Sequence, residues 1–337
     1  MPMTKVRWGL LSTANINQRL IPAIRASERG ELVAVASRTR EKAEAYVAKW
    51  EIPHALGSYD SLLNSGLVDA VYIGLPNHLH AEWSIRAMQA GINVLCEKPL
   101  AISVAEVDNM IAASRRSNRV LAEAFMYRHH PQTKLAGEWV RSGRLGDVCS
   151  IYGTYIYPIN DRKDIRFIPD YGGGSLWDLG VYPMSYAQYL FGEPPTWVIG
   201  DQWVGNTGVD EAFAGQMHYS GDRIAQFTCS FRSPWHMYFE IIGTEGNLTL
   251  SRPFAAMEKG RRMIFYPKEN EPFEIQIPEA ELFQGEVEDM HAAILDGEIS
   301  YVSLEESRNH IRTVKALYKS AHTKQIISFK DNLPIIF

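Results

Sequence analysis

The chain opens on an alternation of two hydrophobic periods. Val6–Leu11 is a short apolar run between polar residues, which predicts a buried strand. Ile16–Arg25 follows as a helix, Glu31–Ser37 (ELVAVAS) as a second strand, and Arg40–Trp50, rich in Ala, Glu and Lys, as a second helix. The series continues with a strand at Ala70–Gly74, a helix at His80–Ala90 and a strand at Asn93–Cys96. A helix then opens on the capping pair Ser103/Glu106 and runs to Ala113, before a last strand at Val120–Ala122. Such alternation predicts a parallel sheet with helices on both faces, because parallel neighbours need a crossover between them. In doubly wound sheets ligands bind at the carboxyl ends of the strands.

Past about Ala124 the texture changes. A helix near Pro131–Arg141 leads into Val148–Tyr157, a β-rich stretch that carries Tyr152, Tyr155 and Tyr157. Gly172-Gly173-Gly174 is a flexible break, and Ser175–Leu190 reads as a helix in which Pro183 should bend the axis or mark a late start. Short β-type runs separated by Gly, Asn and Asp fill Thr196 to Gln276 and predict an antiparallel sheet. Two helices close the chain, Glu286–Leu295 and Ser303–Ala321, the second behind a Ser303/Glu306 capping pair. The expected fold class is α/β: a Rossmann-type doubly wound domain over residues 1–123, then an α+β domain over 124–337 with a mostly antiparallel sheet.

A length of 337 residues suffices for two domains with cores of their own. The formal charge of −5 and the lack of a basic run argue against nucleic acid, whose phosphates need a basic face. The longest apolar runs, such as Leu67–Leu75, fall far short of the roughly 20 residues that span a bilayer, so no membrane partner is expected. Lys5 and Arg7 precede an apolar run too brief for a signal-peptide core. Cys96, Cys149 and Cys229 form no metal or redox pair; they suit a reducing cytoplasm and are expected as small buried apolar residues.

Candidate chemistry gathers at the strand ends. The first turn reads Gly9-Leu10-Leu11-Ser12-Thr13-Ala14-Asn15-Ile16-Asn17. Ser12 and Ala14 stand where G-x-G-x-x-G has its first two glycines and Asn17 takes the third place, so the segment is either a phosphate-cradling turn or an ordinary strand–helix turn. The second strand ends in Ser37-Arg38-Thr39, with Lys42 one turn on. NAD-binding domains place an acid there for the ribose 2′-hydroxyl; here none is present, and Ser37, Arg38 and Lys42 suit a 2′-phosphate. Within a dinucleotide domain, NADP is therefore expected over NAD. Two later strands end in Leu75-Pro76-Asn77-His78-Leu79-His80 and in Cys96-Glu97-Lys98-Pro99-Leu100. Leu75, Pro76, Asn77, Glu97 and Lys98 thus lie on the cofactor edge, and His80 either touches the cofactor or caps its helix. The pairs His78/His80 and His129/His130 lack a carboxylate or cysteine to complete a ligand set, and no metal is expected.

Together these stretches resemble the glucose–fructose oxidoreductase / inositol dehydrogenase (Gfo/Idh/MocA) family. The resemblance runs through GLLSTANI, PNHLHAEW, EKPLA, EAFMYRHHP, GGGSLWDLGVYP and EESRNHIRTVKALYKSA, nearly the whole chain. The family pairs the lysine of its Glu-Lys-Pro box, here Lys98, with a helical motif of the second domain, here Asp178-Leu179-Gly180-Val181-Tyr182. Asp178 and Tyr182 are four apart, so in a helix they share one face. Many members carry His in place of Tyr182. This chain is similar to the branch with Tyr, which holds glucose–fructose oxidoreductase, dihydrodiol dehydrogenase and some aldose dehydrogenases. A phenol with an ordinary pKa near 10 is a poor base at neutral pH, and a nearby ammonium such as Lys98 would favour the phenolate.

The resemblance implies roles. Tyr182 is the general acid/base, Lys98 tunes it and polarises the substrate oxygen, and Asp178 orients Lys98 or a substrate hydroxyl. Arg166 lines the substrate pocket or makes a surface ion pair; Trp177 walls the nicotinamide or packs an interface. The Lys98–Pro99 bond is implied to be cis. The implied activity is hydride transfer between NADP and a sugar or sugar-like alcohol, first of all oxidation of an aldose such as xylose or glucose at C1. Rivals are oxidation of a trans-dihydrodiol, reduction of a keto-sugar, or a non-catalytic NADP-binding regulator. An intact Glu97-Lys98-Pro99 with Asp178 and Tyr182 speaks against the regulator. The family's habit of associating through the open face of its second sheet implies a homodimer or homotetramer, with Trp197, Trp203, Phe213, Phe227 and Phe231 as candidate apolar contacts.

Overall fold

A computed structural model describes residues 4–255 and 260–329. The chain divides into two compact units, one joining residues 1–129 to 281–308, the other joining 130–280 to 309–337. The division is therefore not a single cut near residue 123. The helix Gln284–Leu295 returns to the first unit because its His291 is buried there: Trp8 Nε1 donates to His291 Nε2 at 2.9 Å, and Ser27 Oγ lies 3.1 Å from Nδ1. Gly30 leaves room for that ring, since a Cβ on it would sit 3.0 Å from His291 Cε1.

The first unit holds six strands, β1 (Val6–Leu11), β2 (Gly30–Ala36), β3 (His54–Leu56), β4 (Ala70–Ile73), β5 (Asn93–Glu97) and β6 (Leu121–Ala124). Their order is β3-β2-β1-β4-β5-β6 and every pairing is parallel. The doubly wound sheet expected from the sequence is present. Crossovers run outward in both directions from the β1/β4 boundary, which makes that boundary the switch point where such folds bind ligands. All four residues of β4 and the first four of β5 are buried, as strands covered on both faces must be. The short β3 and the helix Tyr59–Leu63 that follows it escape the sequence reading because three residues carry no period.

The second unit is built on nine strands: β7 (Val148–Ile156), β8 (Trp197–Val204), β9 (Asp210–His218), β10 (Ile224–Ser230), β11 (His236–Gly243), β12 (Gly246–Ser251), β13 (Arg262–Pro267), β14 (Phe273–Glu274) and β15 (Ile327–Ser328). The order is β14-β13-β12-β11-β7-β10-β9-β8-β15, antiparallel throughout except where β7 meets β10. One face is covered by helices. A Cβ on Gly153 would lie 2.5 Å from Pro183 in the helix Val181–Phe191, and one on Gly215 would meet Leu317 of the helix Leu304–Thr323 at 3.1 Å. The other face carries exposed Tyr152, Ile199, Trp203 and Tyr266.

Two expectations change here. Phe213, Phe227 and Phe231 are buried, so they pack the core and not the open face; Trp197 is half-buried and stacks on His218 with ring centroids 4.6 Å apart. Alternation with a period of two puts alternate residues of one strand on opposite faces, and aromatic content alone does not say which. Cys96 and Cys229 are buried as expected, but Cys149 is exposed at the edge of β7. Among the described residues no helix is long and apolar enough to cross a membrane.

Candidate active site

In the first unit the switch point is built by a serine in a glycine's conformation. Ser12 directly follows β1 with φ at 140°, a region that β-carbon sterics disfavour. The strain is offset locally: Ser12 Oγ donates to the Gly74 carbonyl at 2.9 Å and accepts from the Ala14 amide at 3.2 Å, while Asn17 Nδ2 donates to the Ser12 carbonyl at 2.8 Å. Gly74, just past β4, lets the turn close, because a Cβ there would stand 3.2 Å from Ile16 and 3.5 Å from Ala14. Thr13, Ala14, Asn15 and Ile16 keep surface ahead of the helix Asn17–Ala26, whose first turn carries no acid. A helix N-terminus of that kind accepts phosphate. Gly9 belongs elsewhere. It lies inside β1, where a Cβ would strike Val68 at 2.9 Å, so its smallness serves packing and not the phosphate turn.

At the end of β2, Ser37 is buried and Arg38, Thr39 and Lys42 are exposed. Thr39 caps the helix Arg40–Trp50 by accepting from the Lys42 amide. The first acid on, Glu41, is bonded to its own amide and to Thr39, which holds its carboxyl below the usual range. The donor set at this strand end is thus cationic and hydroxylic, the chemistry a 2′-phosphate needs.

The ends of β4 and β5 are tied together. The Lys98–Pro99 bond is cis. His80 neither reaches a cofactor nor caps its helix with its side chain. It is wholly buried, with Nε2 2.8 Å from the Leu75 carbonyl and Nδ1 2.8 Å from the Pro99 carbonyl, so its ring has no surface for a cofactor and instead fixes the two turns. Burial lowers its pKa. Leu75 is buried; Pro76, Asn77, Glu97 and Lys98 keep partial exposure. The Tyr72 hydroxyl donates to Glu97, and the Lys98 amide donates to Glu97 Oε2 at 3.2 Å. Leu100 is held from beneath by Glu123, whose Oε1 accepts its amide at 2.8 Å.

In the second unit the glycine run brings three polar groups together. Gly173 lets the backbone of Arg166 approach, as a Cβ there would lie 2.5 Å from its carbonyl oxygen, and the Gly174 amide donates to that carbonyl at 2.9 Å. Arg166 Nε then donates to Asp178 Oδ2 at 2.7 Å, and its Nη1 donates to Asp164 Oδ1 at 3.1 Å. Asp178 first, then Asp164, raise the guanidinium pKa still further. Asp178 lies in a wide π turn, Leu176–Gly180, that passes into the α-helix Val181–Phe191. Pro183 is the third residue of that helix, so the α-helix starts late: the wide turn takes up the missing N–H and the ring's clash with the preceding turn. Tyr182 is buried, with Tyr155 and Phe254 ring centroids both 5.4 Å away. Trp177 is buried too and packs on Tyr318 at 5.9 Å, so its ring fills the unit's interior and offers a nicotinamide little surface.

The structure also brings in residues that the sequence reading passed over. Tyr155 on β7 packs edge-on against Tyr182, and burial first, then the charge of Asp178, pushes its pKa up. It stays a neutral donor. In the first unit Glu286 is buried, and burial followed by the nearby Glu97 pushes its carboxyl well above the ordinary range. Tyr155 was visible only as one of three tyrosines in a β-rich stretch, and Glu286 lies nearly 190 residues from Glu97 in sequence.

A doubly wound sheet with a phosphate-type turn at its switch point, in a chain that also carries an Arg–Asp–Tyr cluster at a helix start, defines a dinucleotide-dependent oxidoreductase of two units. Residues 6–125 match the oxidoreductase family with an NAD-binding Rossmann fold, and residues 133–249 match the GFO/IDH/MocA C-terminal domain. The chain is 36% identical over 318 residues to D-xylose 1-dehydrogenase (NADP(+)) 2 of Haloferax volcanii, covering 94% of this chain and 97% of that one. The aldose–aldose oxidoreductase of Caulobacter crescentus, solved with glycerol, superposes with a TM-score of 0.90 at 25% identity, over 96% of this chain and 100% of that one. A 3-ketoreductase from Actinomadura kijaniata, solved with NADP and TDP-benzene, gives 0.88 at 29% identity over 94% and 98%. The chain belongs to the Gfo/Idh/MocA oxidoreductase family.

Proposed function

We propose that this protein is an NADP-dependent dehydrogenase that acts on the CH–OH group of a sugar or sugar-like alcohol, with C1 of an aldose of the xylose or glucose type as the first candidate. The observation that carries the reading is the buried Tyr182 one helical turn after an Asp178 held in an ion pair, in a chain that also presents Glu97-Lys98-Pro99 at the end of β5. NADP, when bound, supplies the hydride acceptor. Ser12–Ile16 and the amino end of the helix Asn17–Ala26 hold its pyrophosphate, Ser37, Arg38, Thr39 and Lys42 its 2′-phosphate, and Pro76, Asn77 and Glu97 its remaining edge.

In oxidation the C1–H bond breaks with its electron pair, and the C1 hydroxyl proton passes to Tyr182 Oη. The sugar loses two electrons and two hydrogens and becomes the lactone. Lys98 carries a positive charge that stabilises an oxygen anion on the substrate along this path. Arg166 keeps Asp178 ionised, and Asp178 accepts from a substrate hydroxyl and fixes the ring's orientation. A second reading, reduction of a keto-sugar by the same groups in reverse, draws support from the 3-ketoreductase likeness. The cytoplasm is the compartment we infer from free cysteines.

The test is nicotinamide absorbance over a panel of aldoses, trans-dihydrodiols and keto-sugars, with NADP and with NAD, on the wild type and Arg38→Ala. Reduction of NADP by one aldose class, with Arg38→Ala weakening NADP far more than NAD, is the expected result. Equal losses for both nucleotides would remove the 2′-phosphate assignment. No turnover of any substrate by a protein that still binds NADP would favour the regulator.

A further inference from the structure

The helix start that carries Asp178 and Tyr182 is not capped by its own side chain: Ser175 precedes it without a side-chain cap bond. The cap comes from elsewhere. Asp210, the first residue of β9, is 3% exposed, and its Oδ2 accepts from Ser175 Oγ at 2.7 Å and from the Leu176 amide at 2.8 Å. Its Oδ1 accepts from the Tyr318 hydroxyl at 2.6 Å. The approach is possible only because residue 174 is glycine. Its φ is 123°, and a Cβ there would fall 2.0 Å from Asp210 Oδ1. Three donors converge on one buried carboxylate, and two of them belong to the first turn of the segment 175–182. The Asp178 amide continues that turn, donating to the Gly174 carbonyl at 3.1 Å.

We propose that Asp210 is a positioning residue for the reaction: it anchors the amino end of the helix bearing Asp178 and Tyr182 and so sets where those two side chains stand. The anchoring works by geometry. A carboxylate at a helix N-terminus satisfies orphan amides and favours the macrodipole, and a buried one is held rigid by its donors. Tyr318 supports Asp210 from the helix Leu304–Thr323 and also meets the backbone of the segment at Trp177. Burial raises the Asp210 carboxyl to about 6 against the pull of its three donors, so it accepts all three as an anion at neutral pH. Loss of the anchor lets Tyr182 drift, and displacement of a reacting group by about 1 Å lowers turnover by roughly a hundredfold.

The inference rests on the reading of Tyr182 and Asp178 as reacting groups, and the experiment separates the two. Asp210→Asn, Ser175→Ala and Tyr318→Phe are compared with the wild type for kcat, KM, and amide hydrogen exchange across residues 172–183. Asp210→Asn is expected to raise exchange in that segment and to lower kcat roughly ten- to hundredfold with KM within about twofold. Ser175→Ala, which keeps the Leu176 bond, gives a smaller fall in kcat and serves if Asp210→Asn does not fold. Tyr318→Phe, which removes one donor to Asp210 and the contact with the Trp177 backbone but leaves the Ser175 and Leu176 bonds, is expected to raise exchange less than Asp210→Asn. A folded Asp210→Asn or Ser175→Ala with unchanged exchange overturns the anchor, and raised exchange with unchanged kcat overturns its effect on the reaction. Full turnover in Tyr182→Phe would instead sink the reading of function, while the exchange rates still decide whether Asp210 holds the helix.

Discussion

At the scale of single residues, the side chains proposed for chemistry are held by partners of opposite kind. Lys98 sits on a turn fixed by buried His80 and Glu123, whereas Asp178 and Tyr182 stand on a helix start tied by Arg166 and Asp210. If Lys98 acts on the substrate oxygen, Lys98→Met should leave NADP binding within a few-fold while kcat drops by about 10²–10⁴, the usual weight of one acid–base group. Fluorescence titration and steady-state rates check the two halves, and near-normal turnover would strip Lys98 of its role. The residues legible in the sequence were those in contiguous motifs: Lys98 in its Glu-Lys-Pro box, Asp178 and Tyr182 four apart, Arg38 on an acid-free strand end. Tyr155, Asp210 and Glu286 were not, because each meets its partner across 25 or more residues of chain and carries no local pattern. His80 was misjudged for a related reason. A histidine at a strand end looks available until the fold places a carbonyl at each of its nitrogens.

At the scale of elements, capping explains much of what periodicity could not. The helix Pro131–Arg141 has His130 as its N-cap, with Nδ1 accepting from the Gln132 amide at 3.1 Å. Only an unprotonated ring can accept there. Burial first, then the charge of Arg261, lowers His130 to about 4 from its ordinary 6.5. A depressed histidine favours the fold above its unfolded pKa, and the contribution drains away as pH falls from about 6.5 toward 4. His130→Asn keeps a good capping side chain but cannot titrate. Its Tm should therefore fall less than that of the wild type between pH 7 and pH 5, by calorimetry; equal falls would show that His130 does not govern this window. Strands and helices of the first unit were readable because buried parallel strands are continuous apolar runs. The π turn at Leu176–Gly180 was readable only as the blemish of Pro183, since a change of helical pitch leaves no hydrophobic signature.

At the scale of the molecule, the open face of the nine-stranded sheet carries exposed Tyr152 on β7 and exposed Ile199 and Trp203 on β8, with β10 and β9 between them. We propose this face as the contact of a homodimer or homotetramer. Ile199→Glu should then reduce the mass seen by light scattering to that of the single chain, and an unchanged mass would place any contact elsewhere. The β-rich half and its antiparallel character were predictable from turn spacing, but the face each aromatic takes was not. The return of residues 281–308 to the first unit was also hidden, because nothing local in Gln284–Leu295 names Trp8 as the neighbour of His291. That return has a consequence for synthesis. A nascent chain emerges from its amino end, yet Trp8 finds its hydrogen-bond acceptor only after residue 291 has left the ribosome. The half translated first therefore waits, unfinished, until residue 291 follows, and a chain released before that would leave the indole of β1 without its cover.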